Sequence, residues 1–409
     1  CRYPYRSRCK PRKWRISALP HVGQWCEAKT TSTSSPKRSI ASAPSGAATT
    51  LSSGGIMPSS VTLRVRRSIH SAESSKYVTI IVSPVTKAMR LAIVVTGNAE
   101  RAEQALRAHP GVAIVDRAER LWERAGELDL VVVASPNVTH VPFARAALQV
   151  GLAVVVDKPL AATSAEGQAL VDEARGRNLL FSVFQNRRWD GDFLTLRRLL
   201  AEGALGDVHR FESRFERWRP TPKKGWRESA DPAEAGGTLY DLGSHLIDQA
   251  LVLWGPVARV YAEVDRRRPG VAVDDDAFVA LEHASGVRSH LWMSAAAPEH
   301  DLRFRVLGSR AAYVKHGLDV QEAALRGGEA PGPGWGEEPE LLWGRVGVPD
   351  AWTPVRTETG AWPAYYAGIA AALRDGAPLP VDPADAVQGL RIIEAARRSA
   401  AERAVIELV

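Results

Sequence analysis

Residues 128–163 read LDLVVVASPNVTHVPFARAALQVGLAVVVDKPLAAT, and this stretch decides the fold. Val131, Val132 and Val133 form a short apolar run that stops at Ala134-Ser135-Pro136-Asn137, the composition of a buried strand opening into a turn. Val141, Ala144, Ala147 and Leu148 then recur at helical spacing, and Gly151 stands where a helix stops. Ala153 to Val156 reads as a second buried strand running into Asp157-Lys158-Pro159. Parallel strands joined by a helix bring their C-terminal ends to one edge of a sheet. Ser135, Asn137 and Lys158 therefore share the edge at which open α/β sheets bind ligands.

The alternation extends both ways. Upstream the pattern predicts a strand over Leu91–Val95, a helix over Ala99–Ala108, a strand over Ala113–Val115 and a helix over Ala118–Arg124; downstream it predicts a helix over Ser164–Arg177 and a strand over Leu180–Val183. This is α/β, a Rossmann-type doubly wound parallel sheet. After Arg187 the rhythm changes. A helix over Phe193–Ala201, a strand over His209–Arg217 and an amphipathic helix over Tyr240–Trp254 precede consecutive strands at Ala258–Asp265, Ala277–His283, Val287–Ser294, Leu302–Leu307 and Ala312–Lys315. That order predicts an α+β domain with a mostly antiparallel open sheet. Residues 326–340 read as a loop, and Trp362–Arg374 and Pro383–Arg403 as late helices.

The strand ending in Ser135-Pro136-Asn137 with His140 after it, and the strand ending in Asp157-Lys158-Pro159, resemble the Gfo/Idh/MocA family of nicotinamide-dependent oxidoreductases, whose usual second motif is Glu-Lys-Pro. Phe184-Gln185-Asn186-Arg187-Arg188-Trp189-Asp190 and Gly236-Gly237-Thr238-Leu239-Tyr240-Asp241-Leu242-Gly243-Ser244-His245 resemble the family's next landmarks, in order. Gly308-Ser309-Arg310, Tyr313-Val314-Lys315 and Pro363-Ala364-Tyr365-Tyr366 are most similar to its NADP-dependent scyllo-inositol dehydrogenases. The resemblance runs from Met89 to the C-terminus.

It implies catalytic roles for Lys158, Asp241 and His245. It implies cofactor contacts from Ser135, Pro136, Asn137, His140, Asp157, Lys158 and Pro159, and substrate contacts from Asn186, Arg187, Trp226 and Arg227. The residue chemistry agrees with the catalytic set. A fixed ammonium at Lys158 stabilises charge developing on a carbinol oxygen, and Asp241 and His245, four apart in a helix, face one way as an imidazole base with an orienting carboxylate. Taken alone, Lys158 reads more readily as a surface lysine ending a strand, and Asp241/His245 as a capped, hydrogen-bonded histidine on a polar helix face. Arg187 and Arg188 read equally as charges at a domain boundary. No ligand-spaced cluster points to a metal.

Thr96-Gly97-Asn98 with Arg101 follows the strand Leu91–Val95, where an acid would favour NAD. A hydroxyl, an amide and a cation suit the 2′-phosphate of NADP, with NAD as the alternative cofactor; the same residues also make a simple turn with Asn98 as a helix cap. The departure lies upstream. The family should open with a strand running into G-x-G-x-x-G, yet from Arg66 to Arg90 the chain has no glycine. Lys76–Val82 has strand character and stands where the first strand belongs, but Ser83-Pro84-Val85-Thr86-Lys87 follows it. The spacing from Val65 to Leu91 fits the missing strand, loop and helix, which suggests a shifted reading frame and an NADPH affinity below that of a relative with an intact loop.

Composition bounds the rest. Residues 1–70 carry 13 Lys or Arg and one acid, a net of +12 against +7 for the whole chain, which leaves −5 for residues 71–409. A mildly acidic body argues against nucleic acid as a partner. All three cysteines lie in this leader, so the body has no thiol chemistry, as in a reducing, cytoplasmic setting. No apolar run reaches membrane-spanning length. Expected divisions are a disordered leader over 1–60, with the composition either of a transit peptide or of upstream sequence preceding a start at Met57; a dinucleotide-binding domain over 61–186; and a substrate and oligomerisation domain over 187–409. Expected partners are a cyclic polyol or sugar and a second copy of the chain, as a homodimer or homotetramer, through the strand bearing Leu291 and Met293. The expected function is hydride transfer between such a polyol's secondary alcohol and a nicotinamide. The alternatives are a sugar-sensing regulator on the same fold and a frame-shifted, defective product.

Overall fold

In the computed structural model, which describes residues 89–222 and 225–408, the apolar runs become parallel strands and the periodic segments become helices packed on them. β1 (Ile93–Val95), α1 (Ala99–Ala108), β2 (Ala113–Val115), α2 (Ala118–Trp122), β3 (Leu130–Val133), α3 (His140–Gln149), β4 (Ala153–Asp157), α4 (Ser164–Gly176) and β5 (Phe181–Phe184) alternate along the chain. β1 pairs with β2, and β3, β4 and β5 form a second sheet, all in parallel. The six valines of β3 and β4 that opened the reading are buried on both faces, as parallel strands covered by helices require. In a doubly wound sheet of order 3-2-1-4-5-6 the first strand is central. The described strands make two sheets instead of one, β1 with β2 and β3 with β4 and β5. The expectations for Lys76–Val82, the glycine-free segment and the leader lie outside the described residues.

The second unit follows: α5 (Gly191–Ala201), β6 (Val208–Glu216), a π-helical turn at Leu239–Gly243 that runs into α6 (Ser244–Trp254), then β7 (Val257–Asp265), β8 (Asp276–His283), β9 (Arg288–Ser294), β10 (Leu302–Gly308) and β11 (Ala312–His316). α7 (Gln321–Arg326), β12 (Gly344–Val348), β13 (Ala351–Val355), α8 (Pro363–Asp375), α9 (Pro383–Glu402) and β14 (Ile406–Glu407) complete it. Nine strands in the order β13-β12-β11-β10-β6-β9-β8-β7-β14 make one sheet, antiparallel except between β6 and β9. The sheet is therefore mostly antiparallel, and its inner face carries the apolar alternates Ala277, Val279 and Leu281 of β8.

Three segments differ from the sequence reading. Tyr240–Trp254 is not one regular helix, because its first turn is π-helical. The hairpin β12–β13 escaped notice because it is largely exposed and interrupted by Gly347 and Pro354, so it lacks apolar alternation. Leu291 and Met293 do not face outward towards a twin subunit. Both are fully buried in their own chain, and the space over Met293 is so tight that a Cβ on Gly243 would lie 3.3 Å from its sulfur.

α9 ties the two units together. Glu394 accepts from Ser164 N and Ser164 Oγ at the start of α4, both at 2.6 Å, while Ser399 Oγ accepts from Ala262 N of β7 at 2.9 Å. Beneath the site a buried guanidinium anchors the sheet. Arg303, 1% exposed, pairs with Asp192 at 2.9 Å and donates to Ser213 Oγ and Gln249 Oε1. Gln249 in turn donates to Arg187 O at 2.9 Å. Asp192→Ala leaves that charge unpaired, so chemical denaturation should show a loss of about 3–5 kcal/mol. A loss below about 1 kcal/mol would mean that water or another acid replaces Asp192.

Candidate functional site

Lys158 stands at the C-terminal end of β4, where the strand leaves the sheet, and it is mostly buried. Its ammonium donates to Asp241 Oδ1 at 2.9 Å and to Asp241 O at 2.6 Å. One cation thus joins the edge of the parallel sheet to the π-helical turn of the second unit. Burial by itself would raise the Asp241 carboxyl, but Lys158, Arg227 and Arg217 outweigh it and hold the group far below the usual carboxylate range. Asp241 is an anion at every working pH.

His245 lies one turn further on, buried, its ring stacked on Phe215 with centroids 6.3 Å apart. Its Nδ1 is buried without a partner, and so is Ser244 Oγ beside it. The expected orienting hydrogen bond, in which His245 would donate to the Asp241 carboxylate, is not made. In a regular α-helix residues four apart stack on one face, but a π-helical turn is wider, and Asp241 is turned to Lys158 and Arg227 instead. Burial, Lys158 and Arg187 push the imidazole well below its ordinary pKa, with Asp241 opposing. The His245 ring is therefore neutral at neutral pH.

The remaining predicted residues divide into those at the cleft and those that brace it. His140 is fully buried behind the loops. Its Nδ1 lies 2.7 Å from Pro159 O and its Nε2 3.0 Å from Ser135 O, so it clamps the ends of β3 and β4 together. Burial keeps the ring neutral, and one of its nitrogens donates. Ser135 Oγ pairs with Thr139 Oγ1, Pro136 O accepts from Thr139, and Asp157 Oδ1 accepts from Lys158 N at 2.8 Å. Asn137 is buried and donates to Glu234 O at 2.9 Å, a second link between the units. Asn98 caps α1 by accepting from Arg101 N at 2.9 Å, and the buried Thr96 accepts from Asn98 N. The turn-and-cap alternative for this segment is thus its geometry, with Arg101 on the exposed first turn.

Asn186 is half-buried at the end of the parallel sheet. Arg187 is buried and pairs with Asp190 at 3.2 Å and with Glu322. Burial opposes its charge, but the acids prevail and raise its pKa. Arg188 bridges Asp248 and Asp385 and so holds α6 to α9. Trp226 and Arg227 meet, with the guanidinium 4.0 Å from the ring centre, and Arg227 reaches Asp241 at 3.3 Å. They line a cavity of about 320 Å³ together with Asp241, Thr238, Arg217 and Arg219. Sequence reading missed Arg217, Arg219 and Glu322. The alternation of Arg217 and Arg219 just past a strand was visible, whereas Glu322 carries no motif and is brought in by the turn of α7. Among the described residues no group of three His, Cys, Asp or Glu is placed to hold a metal, and no helix is long and apolar enough to cross a membrane.

This geometry has known relatives. The profile of an oxidoreductase family with an NAD-binding Rossmann fold matches residues 73–185, and that of the GFO/IDH/MocA C-terminal domain matches residues 193–314. The chain belongs to the Gfo/Idh/MocA oxidoreductase family. Its likeness begins at residue 73, upstream of the Met89 at which the sequence resemblance was expected to start. The uncharacterized oxidoreductase YdgJ of Escherichia coli (strain K12) is 40% identical over 300 residues, 73% of this chain and 86% of that protein. The scyllo-inositol 2-dehydrogenase (NADP(+)) IolW of Bacillus subtilis (strain 168) is 34% identical over 75% of this chain and 86% of its own. Among solved structures, YPO2259 from Yersinia pestis superposes with a TM-score of 0.73 at 37% identity, covering 80% of this chain and 91% of the other.

The depressed pKa of His245 links to stability with a definite sign. Unfolded His245 binds a proton below about pH 6.5 and folded His245 does not, so its contribution is full above that pH and falls as the solution is acidified towards the lower folded pKa. The stability difference between the wild type and His245→Gln, measured by chemical denaturation, should therefore move against the wild type between about pH 7.5 and about pH 5.5. A difference constant across that interval would mean that the imidazole titrates normally.

Proposed function

We propose that this chain is an NADP-dependent dehydrogenase that moves hydride between a secondary alcohol carbon of a cyclic polyol or sugar and the nicotinamide. The observation that carries the reading is the meeting of the Lys158 ammonium, at the end of β4, with the Asp241 carboxylate, which lines a cavity, beside the neutral His245. The alcohol oxygen sits at Lys158, whose charge stabilises the developing alkoxide. His245 takes the hydroxyl proton on oxidation and returns it on reduction, which its depressed pKa allows because the ring is unprotonated at neutral pH. Asp241 holds the ammonium in place and aims it. It acts through Lys158 rather than by fixing the imidazole tautomer.

The dinucleotide, when bound, supplies the hydride acceptor or donor. The residues on the nicotinamide side suit it: His245 Nδ1, Ser244 Oγ and Gln185 Oε1 are buried polar atoms without partners, as in a pocket awaiting a polar ligand. Ser135, Pro136 and Asn137 with Asp157, Lys158 and Pro159 would flank the cofactor from the ends of β3 and β4, and Thr96, Asn98 and Arg101, with no acid among them, favour NADP over NAD. Asn186, Arg187, Trp226 and Arg227 would form the substrate side. The named activity of IolW supports an inositol-like substrate. For assembly, the outer sheet face offers Phe278, His290 and Trp292 in mutual ring contact with Arg214 over Trp292, and a homo-oligomer through this face replaces the one expected through Leu291 and Met293.

In a version of the chain that carries a glycine-rich cofactor loop in place of residues 66–88, Lys158→Ala and His245→Ala should each lower turnover by about 10²–10⁴ while NADPH binding, followed by nucleotide fluorescence, stays nearly unchanged. Near-full activity of His245→Ala from about pH 6 to about pH 9 would remove the imidazole from the proposed mechanism. Reduction of NADP by inositols or sugars, screened by absorbance, tests the reaction class itself.

A further inference from the structure

The cavity beside Asp241 is lined by four arginines and by three acids, Glu228, Asp241 and Asp274, the last of which pairs with Arg397 from outside the lining. Arg217 and Arg219 stand two residues apart on the extended chain that continues β6, where Arg217 N donates to Ser294 O and Arg219 N to Ala295 O, both at 2.8 Å. Alternate residues on extended backbone project to the same side, and both arginines line the cavity with Arg227 and Arg268. Arg268 is fully occupied: it is buried, donates to Asp275 at 2.8 Å and reaches Glu228 at 3.1 Å. Arg227 shares Asp241 with Lys158. Arg217 reaches Glu322 at 3.3 Å but shares it with Arg187 and Arg326. Among the described residues no carboxylate lies within ion-pair distance of Arg219, which is half-buried. Burial and then Arg326 make its charge less favourable; burial likewise holds Arg217 down to about 10, with Glu322 opposing and Arg219 assisting.

Partly buried cations that outnumber their acids call for an anion from outside. The cofactor's phosphates do not answer this call, because they belong at the ends of the parallel strands, whereas these guanidinium groups stand on the second unit beyond Asp241. We infer that the substrate is an anionic polyol or sugar whose carboxylate or phosphate monoester is received by Arg219 and Arg217 while its reacting alcohol lies at Lys158 and His245. The inference rests on the dehydrogenase reading above and narrows it, since a neutral cyclitol leaves Arg219 unanswered. Fixed guanidinium forks suit both anions, through paired N–H donors.

The test is calorimetric titration of the full chain with glucuronate, a glucose phosphate monoester and glucose. At least one anion should bind roughly tenfold or more tightly than glucose, as expected when a charge-assisted contact is added, and that advantage should shrink as NaCl is raised. Which anion leads tells carboxylate from phosphate. Arg219→Gln, which breaks no ion pair among the described residues, should bring the anion down to the level of glucose, and Arg219→Lys should restore part of the difference. Glucose binding as tightly as both anions, failure of both anions to bind, or an unchanged preference in Arg219→Gln would overturn the inference. An anion bound through Arg219 yet never oxidised with NADP would defeat the dehydrogenase reading and leave the anion site standing.

Discussion

The contact between Lys158 and Asp241 is the constraint on which the site depends. Lys158 is at the end of a buried parallel strand and Asp241 is in the first turn of the helix that underlies the antiparallel sheet, so the two units meet through one pair of charges. Each group depends on the other. The carboxylate is held ionised by the ammonium, and the ammonium, largely shielded from water, has that carboxylate and the same residue's carbonyl as its acceptors. A lone buried charge would cost several kcal/mol, so the pair also fixes how the cleft between the units is closed. The neighbouring clamps point the same way: His140 locks the two motif loops to each other, Asn137 reaches Glu234, and α9 spans both units through Glu394 and Ser399.

The π-helical turn gives this constraint its chemical consequence. Were residues 239–254 a regular helix, Asp241 would lie under His245 and serve it. The wider turn sends the carboxylate to Lys158 and leaves the imidazole with an unpartnered Nδ1 in a positively charged, dry surrounding. The same surrounding keeps the ring neutral, the state in which it can accept a proton. Positive charge on the cavity wall, from Arg217 and Arg219, extends this field beyond Asp241.

The parallel half was legible from periodicity, because Val131–Val133, Val154–Val156 and the spacing of Ala144, Ala147 and Leu148 obey one burial rule each. The edge position of Ser135 and Lys158 followed from topology alone. What escaped has physical reasons. No local pattern marks a π-helical turn, since its residue types are those of an α-helix, so the partner of Asp241 was misread. Strand alternation showed that Leu291 and Met293 share a face but not which body covers it, and the covering helix belongs to the same chain. Glu322 and the Arg187 cluster are long-range encounters that spacing cannot report.

The most direct measurement of the central claim is a double-mutant cycle on Lys158→Met and Asp241→Asn, read as unfolding free energy at neutral pH. If the pair joins the two units as described, Asp241→Asn strands the ammonium, Lys158→Met leaves the carboxylate with Arg227 alone, and the double change costs less than the sum of the two, giving a coupling of about 1–3 kcal/mol. Losses that add to within about 0.5 kcal/mol would contradict it, for they would mean that Lys158 and Asp241 act independently and that the cleft is closed by something else.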